Sequence, residues 1–424
     1  MKIRSVQARR IWDSRGRPTV EVEVHNEDGS LGLGIAPAGA SMGTREAVEL
    51  RDGGSRFGGR DVQAALRGIE HEIAPALVGR EVTDQAGIDA ALITLDGTPT
   101  KARLGGNALI ATSLAVLHAA AAHARLPLWR YLANGRPVML PLPQIQIFGG
   151  GAHAGRQVDV QDFMVIAHAA TSFAQALEMT AEVYRAAGEI MAARGQLAGI
   201  ADEGGWWPSF SRNEEALDTL VEAIEKAGFV PGADVSIALD IAASEFGREG
   251  RYRLALENQV LDSDALCDRL VRWTERYPIV SIEDPLAEDD EAGLVAFTRA
   301  VGHRVQVVGD DYLVTDAARV RQAAALGACN CALIKPNQAG TVTETRAALD
   351  TAKAHGLRTI VSARSGETED VAIVHLATGW NAGQLKVGSF ARSERMAKWN
   401  EAVRIESRSD APAGYAGAAA LARP

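Results

Sequence analysis

Between Val235 and Lys335 the chain repeats one short phrase. A run of branched apolar residues stops on a charged side chain, and a helical pattern follows. VSIALD ends on Asp240, IVSIE on Glu283, VQVVGD on Asp310 and CALIK on Lys335. Such runs read as parallel strands buried on both faces in βα units. The same rhythm extends both ways. Strands are expected at 140–148, 158–166, 235–241, 279–283, 305–310, 331–335, 359–362 and 384–387. Helical patterns separate most of them, for example 262–276 and 315–326, the latter with Thr315 as its expected N-cap. Eight strands with intervening helices predict a (β/α)₈-type barrel, whose chemistry belongs at the carboxyl ends of the strands. Only GGGAHAGRQ joins the first two strands, too little for a helix, so that pair is expected to be antiparallel.

Side-by-side strands would bring Asp240, Glu283, Asp310 and Lys335 to one rim. Carboxylates crowded together repel and raise one another's pKa unless a cation holds them. An all-oxygen ligand set suits Mg²⁺. Other residues fall on the same rim. Glu203 lies in the loop motif ADEGG, and Lys386 closes GQLK. Arg364 and Ser365 precede a helical start, an arrangement that suits phosphate. His153 sits in the GGGAHAG loop. Taken singly, the glutamate, lysine and histidine would more often be solvated loop or strand-end residues.

The chain before the barrel reads as an α+β unit ending near residue 137, so the expected domains are 1–137 and 138–424. Strands at 3–11, 19–25 and 31–36 form a meander, and helices follow at 62–78, 84–96 and 107–124. The small-residue segment Ala36–Glu46 is either a closing loop or a connection, and composition alone favours a connection. The tail from Ser407, rich in Ala, Gly and Pro, is expected to be poorly ordered. Cysteines 267, 329 and 331 give no disulfide framework and suit a reducing cytoplasm, and Cys329 and Cys331 are expected as core residues on one strand side. A net charge of -10 argues against nucleic acid or an anionic membrane as a general partner. It leaves room for a small anionic substrate beside a metal. The N-terminus lacks a signal-peptide pattern, and no apolar run reaches the ~18 residues of a membrane span.

Eleven segments, in order, resemble the enolase family. They are DSRGRPTVEVEV, AGASMGTREAVELRD, GGGAHAG, VQDFMV, ADEGGWWP, ALDIAASEF, PIVSIEDP, VVGDDYLVT, LIKPNQAGTVTET, SARSGETED and GQLKVGSFARSERMAKWN. They span residues from about 9 to about 406. The resemblance implies a Mg²⁺-dependent, usually homodimeric enzyme with two ions per site. Such enzymes remove water from 2-phosphoglycerate to form phosphoenolpyruvate. It implies Asp240, Glu283 and Asp310 as ligands of the first ion and Ser41 as a ligand of the second. Lys335 is implied as general base and Glu203 as general acid, with Asp162 in the catalytic set. Arg364 and Ser365 would hold the phosphate and Lys386 the carboxylate. His153 would lie near the phosphate and the leaving group, with Gln161 among the substrate contacts.

Several positions depart from the family pattern. Asp162 is one methylene shorter than the usual acid, Ala363 replaces a histidine, and the SGAST loop reads Ala38 to Met42. Phe148 is read at the asparagine of the NGG motif. These changes leave the metal ligands and the Lys335–Glu203 pair intact. They predict a specialised member that forms an enolpyruvate ester from a modified, phosphorylated or phosphonylated analogue, such as a carboxyphosphonoenolpyruvate synthase of phosphonate antibiotic biosynthesis. The alternatives are a housekeeping phosphopyruvate hydratase and a non-catalytic, enolase-like binding protein.

Overall fold

In the computed structural model, which describes residues 1–408 and 413–421, the βα rhythm closes on itself. The first unit is an antiparallel sheet, β1 (Ile3–Trp12), β2 (Pro18–Asn26) and β3 (Leu31–Ile35), in that spatial order. Val20, Val22 and Val24 are fully buried, and Glu21 faces the other side, accepting from Arg9 at 2.7 Å. Period-two alternation in the sequence thus becomes one dry face and one charged face. The dry face lies on the Ala-rich helix Gly106–His123. Gly32 and Gly34 make that contact possible. A Cβ there would stand 2.1 and 2.2 Å from the carbonyl oxygens of Ala115 and Ala111. The expected helix 62–78 forms in two α-helical pieces with a π-helical turn, Ile69–Ile73, between them.

The barrel strands are β4 (Leu142–Gly149), β5 (Asp162–Ile166), β6 (Ser236–Asp240), β7 (Ile279–Glu283), β8 (Gln306–Gly309), β9 (Cys331–Ile334), β10 (Arg358–Ser362) and β11 (Gly383–Gly388). They pair in sequence order, and β11 returns to β4 to close the ring. β5 runs antiparallel to both neighbours, as the short connection requires, and the other pairs are parallel. The domain pattern expected from sequence, an α+β unit followed by a barrel with one reversed strand, is the fold observed.

Three details differ from expectation. Helix Ala317–Leu326 is capped by Asp316, which accepts from Arg319 N, not by Thr315. Thr315 instead accepts from Lys335 N at 2.9 Å and donates to Gln338 at 2.7 Å, so its hydroxyl serves the rim. Cys331 belongs to a small interior cluster with Val308, Leu333 and Ile360, whereas Cys329 packs in the main core, so the two do not share a side. All three thiols are free. Finally, the described part of the tail is built into the fold. Gly414–Tyr415 pairs with Met139–Leu140, and Ala420 packs with Leu142, Met164, Ile166 and Ala238 at the barrel floor. Gln384, bonded to Gln144 and Gln306, also donates to the Ala420 carbonyl at 3.0 Å. The remaining tail positions, 409–412 and 422–424, lie outside the described residues. Among the described residues no helix is long and apolar enough to cross a membrane.

Candidate functional site

Asp240 and Glu283 end adjacent strands and are register partners, so their carboxylates leave the sheet side by side. Asp310 follows β8 directly, and its N–H is fixed by Asp284 Oδ1 at 2.8 Å, as that of Asp311 is by Oδ2 at 2.8 Å. The lysines stand among these anions. Lys386 Nζ donates to Asp240 Oδ2 and Glu283 Oε2, each at 2.8 Å, and Lys335 Nζ donates to Asp310 Oδ2. Gln338 holds the other Asp310 oxygen at 2.9 Å. Every site residue predicted from sequence is buried.

The electrostatics follow from that crowding. Burial pushes the Glu283 carboxyl well up, Asp240 adds to the rise, and Lys386 opposes it. Asp310 is also penalised by burial, yet the Lys335 ammonium outweighs this and brings it below the usual range. Lys335 itself is raised. Burial, Arg364 and Lys386 act to lower it, but Asp310 prevails. The direct Asp310 contact thus outweighs the neighbouring cations. Lys386 is driven well up against burial by Asp240, Glu283, Asp162 and Glu203.

Does this lining suit a cation? Glu283 Oε1, Asp162 Oδ2 and Gln161 Oε1 are buried without a hydrogen-bond partner. All three are acceptors, and buried acceptors are costly unless a donor or a cation meets them. Asp240, Glu283 and Asp310 do not form one tight triplet, because the lysines are threaded between them. Among the described residues, two other triplets bring ligand atoms within 4.8 Å of one another: Asp284–Asp310–Asp311 and His153–Asp162–Glu203. The oxygen-rich set therefore fits a hard divalent ion.

The opposite side of the mouth is made of loops. His153 Nδ1 lies 2.9 Å from Asp162 Oδ1, and its Nε2 lies 2.9 Å from Ser365 Oγ and 3.7 Å from Glu203 Oε1. Burial disfavours the imidazolium, but Asp162 and then Glu203 overcome it and raise His153 to about 9. Asp162, penalised by burial, is nonetheless held low by His153 and Lys386. Gln161 Nε2 donates to Asp240 at 3.1 Å and reaches Ser41 Oγ at 3.4 Å.

The Ala36–Glu46 segment is more than a connection. Ala38 and Gly366 exchange backbone hydrogen bonds of 2.8 Å, and Arg364 donates to Ser41 O at 2.9 Å and to Glu46 Oε2 at 2.9 Å. The loop thus lies across the mouth with Ser41 at the rim. Composition could not show this, because the anchors are far away in sequence. Phe148 also requires correction as a site departure. Its ring packs edge-on to Phe210 in the main core, outside the rim.

Several organising residues were not found by sequence reasoning. Glu46 and Gln338 are visible only through tertiary contacts. Asp284 and Asp311 had a signal, since each directly follows a predicted ligand. Arg395 is fully buried and donates to the carbonyls of Arg364 at 2.7 Å, Val387 at 2.9 Å and Ser365 at 2.5 Å, fixing the backbone of the Arg364–Ser365 pair.

Comparison with known proteins agrees with this architecture. Residues 3–132 match the family described as "Enolase, N-terminal domain", and residues 137–423 match "Enolase, C-terminal TIM barrel domain". The protein called "Enolase 1" from Desulfitobacterium hafniense (strain Y51) is 49% identical over 417 residues, covering 98% of this chain and 95% of that protein. "Enolase" from Acidothermus cellulolyticus (strain ATCC 43068 / DSM 8971 / 11B) is 48% identical over 421 residues, covering 99% of this chain and 98% of its own. A reversed second strand, a rim of three strand-end carboxylates with two lysines, and matches along both domains lead to one conclusion: the chain belongs to the enolase family.

Proposed function

We propose that this enzyme is a Mg²⁺-dependent lyase that converts 2-phosphoglycerate to phosphoenolpyruvate and water. The observation that carries the reading is the buried rim in which Lys335 stands against Asp310 while Glu203 faces His153 across the mouth. Lys335 Nζ takes the proton from the carbon alpha to the carboxylate, and the electron pair passes into an enediolate. The carbon–oxygen bond then breaks, and Glu203 delivers a proton so that hydroxide leaves as water. Arg364 and Ser365 orient the phosphate and Lys386 the carboxylate, and the Ala36–Glu46 loop keeps bulk water out. Asp240, Glu283 and Asp310, with Ser41, would hold two Mg²⁺ ions, which supply stabilisation of the doubly charged enediolate. A cation on Asp310 would also relieve Lys335 of the partner that keeps it protonated, as a base requires.

The names of the relatives support this ordinary enolase activity over the narrower carboxyphosphonoenolpyruvate synthase reading. The latter retains one observation: Ala363 leaves no side chain beyond Cβ next to Arg364, where an extra carboxyl group would need room. A homodimer in the cytoplasm accords with the family resemblance and the three free thiols. The test is to supply 2-phosphoglycerate with Mg²⁺ and follow enolpyruvate absorbance. Turnover of about 10–10³ s⁻¹ supports the proposal. No turnover, with product formed only when a phosphonoformate donor is added, overturns it in favour of the synthase.

A further inference from the structure

We propose that Gln146 is a positioning residue that matches the short Asp162 carboxylate to the loop carrying Glu203. The proposal rests on the reading of Glu203 as general acid given above, with Asp162 as the carboxylate that holds His153 beside it.

Gln146 points inward from β4 and is 1% exposed. Its amide spans two parts of the site. Nε2 donates to Asp162 Oδ1, and Oε1 accepts from Gly205 N at 2.9 Å. The amide can face only one way, since a carboxylate needs a donor and an N–H needs an acceptor. Gly205 lies two residues beyond Glu203 in a tight turn closed by Ala201 N to Gly205 O at 2.8 Å and Gly204 N to Ala201 O at 3.0 Å. The Glu203 backbone is therefore tied through one side chain to the carboxylate that orients His153.

The slot for this amide is cut by glycines. A Cβ on Gly205 would lie 2.4 Å from Gln146 Oε1, and a Cβ on Gly149 would lie 3.4 Å from Nε2. Any side chain at Gly205 would force the amide out. Side-chain length completes the argument. Asp162 Oδ1 meets both Gln146 Nε2 and His153 Nδ1, while Oδ2 has no hydrogen-bond partner and stands 3.6 Å from Lys386 Nζ. An acid one methylene longer would push its oxygen into the space Nε2 occupies. A shorter amide would fail to reach Asp162. The two lengths are thus a matched pair, and Gln146 acts on the reaction only through Asp162, His153 and the Glu203 turn.

Four variants test this: Gln146→Leu, Gln146→Asn, Asp162→Glu and the double variant Gln146→Asn/Asp162→Glu. Misplacing a catalytic group by about 1 Å can cost on the order of 10²-fold, so each single variant should lose about 10–10²-fold in kcat with little change in KM. The double variant should recover most of that loss, which a merely structural role would not produce. Exchange of the substrate α-hydrogen with D₂O, which reports on Lys335, should persist in the Gln146 variants while elimination falls. A substrate-free measurement separates this inference from the functional one. Amide hydrogen exchange at Gly205 should accelerate in Gln146→Leu whether or not 2-phosphoglycerate is turned over. Unchanged Gly205 protection, or a double variant no better than the worse single one, would overturn the proposal.

Discussion

The two halves of the barrel mouth are built by different means. Asp240, Glu283, Asp310, Lys335 and Lys386 stand at or just beyond the ends of parallel strands, where the sheet register fixes their backbone. His153, Glu203, Ser41 and Glu46 ride on loops, and Asp162 begins the reversed strand. The strand-built half keeps the carboxylates and lysines of the family pattern, although Ala363, just beyond β10, replaces a histidine. Ala38, Met42 and Asp162, three of the departures, fall in the loop-built half. A rigid sheet tolerates little change where charge must be held to a fraction of an ångström. The methylene lost at Asp162, the first residue of β5, can be absorbed where a neighbour such as Gln146 on β4 takes up the slack.

That contrast can be broken at both ends. The largest effect should come from removing the divalent ion. Chelation should abolish turnover, and added Mg²⁺ should restore it. Mg²⁺ at a hundred times its Kd should also add about 2.7 kcal/mol of apparent stability, an increment that Asp240→Asn should largely remove in thermal melts. Metal-independent turnover would dissolve the distinction between the halves. Next, Lys335→Ala should cost about 10³-fold or more in kcat, within the span of general acid–base contributions. If steady-state rates fell less than tenfold, the base would have to be sought elsewhere.

The loop-built half should reveal itself through pH. His153 is raised to about 9 in the folded protein, against about 6.5 when unfolded. Its contribution to stability is thus complete below about 6.5 and disappears as pH climbs through about 9. Asp162 behaves in the opposite sense: held low when folded, its share is present above the ordinary carboxylate range and lost in acid. The difference in urea midpoint between the native protein and His153→Gln should shrink from pH 6.5 to pH 9. A flat difference would show that the His153–Asp162 pair carries no net charge interaction. The smallest effect sharpens the boundary of the site. Phe148→Leu should cost about 1 kcal/mol in denaturant unfolding and leave kcat within twofold, because the ring packs on Phe210.

Much of this was legible from the chain alone, for a physical reason. A parallel strand covered on both faces must be an apolar run, and a charged residue closing that run can only sit at its rim. Asp240, Glu283, Asp310 and Lys335 therefore declared themselves. The β5 reversal followed from chain length alone. What stayed hidden depends on contacts between distant segments. Neither Glu46 under Arg364 nor Gln146 against Gly205 leaves a periodic trace. The ribbon Arg251–Leu254 and Gln259–Asp262 was missed although Tyr252 and Leu254 alternate with exposed arginines just after Gly250, because the run is too short to stand out. Thr315 was misread because a hydroxyl near a helix start has two plausible uses, and only the neighbouring Lys335 N–H decides between them.

The reversed strand has an engineering consequence. Because β5 runs against its neighbours, the segment from Gly149 to Asp162 leaves the rim and returns to it within a single hairpin. It delivers an imidazole and a carboxylate to the same face without passing through the helical shell. That segment can be exchanged as one cassette, so the imidazole–carboxylate pair facing Glu203 could be rewritten as a single contiguous stretch of the gene while the strand-end carboxylates and lysines stay unchanged.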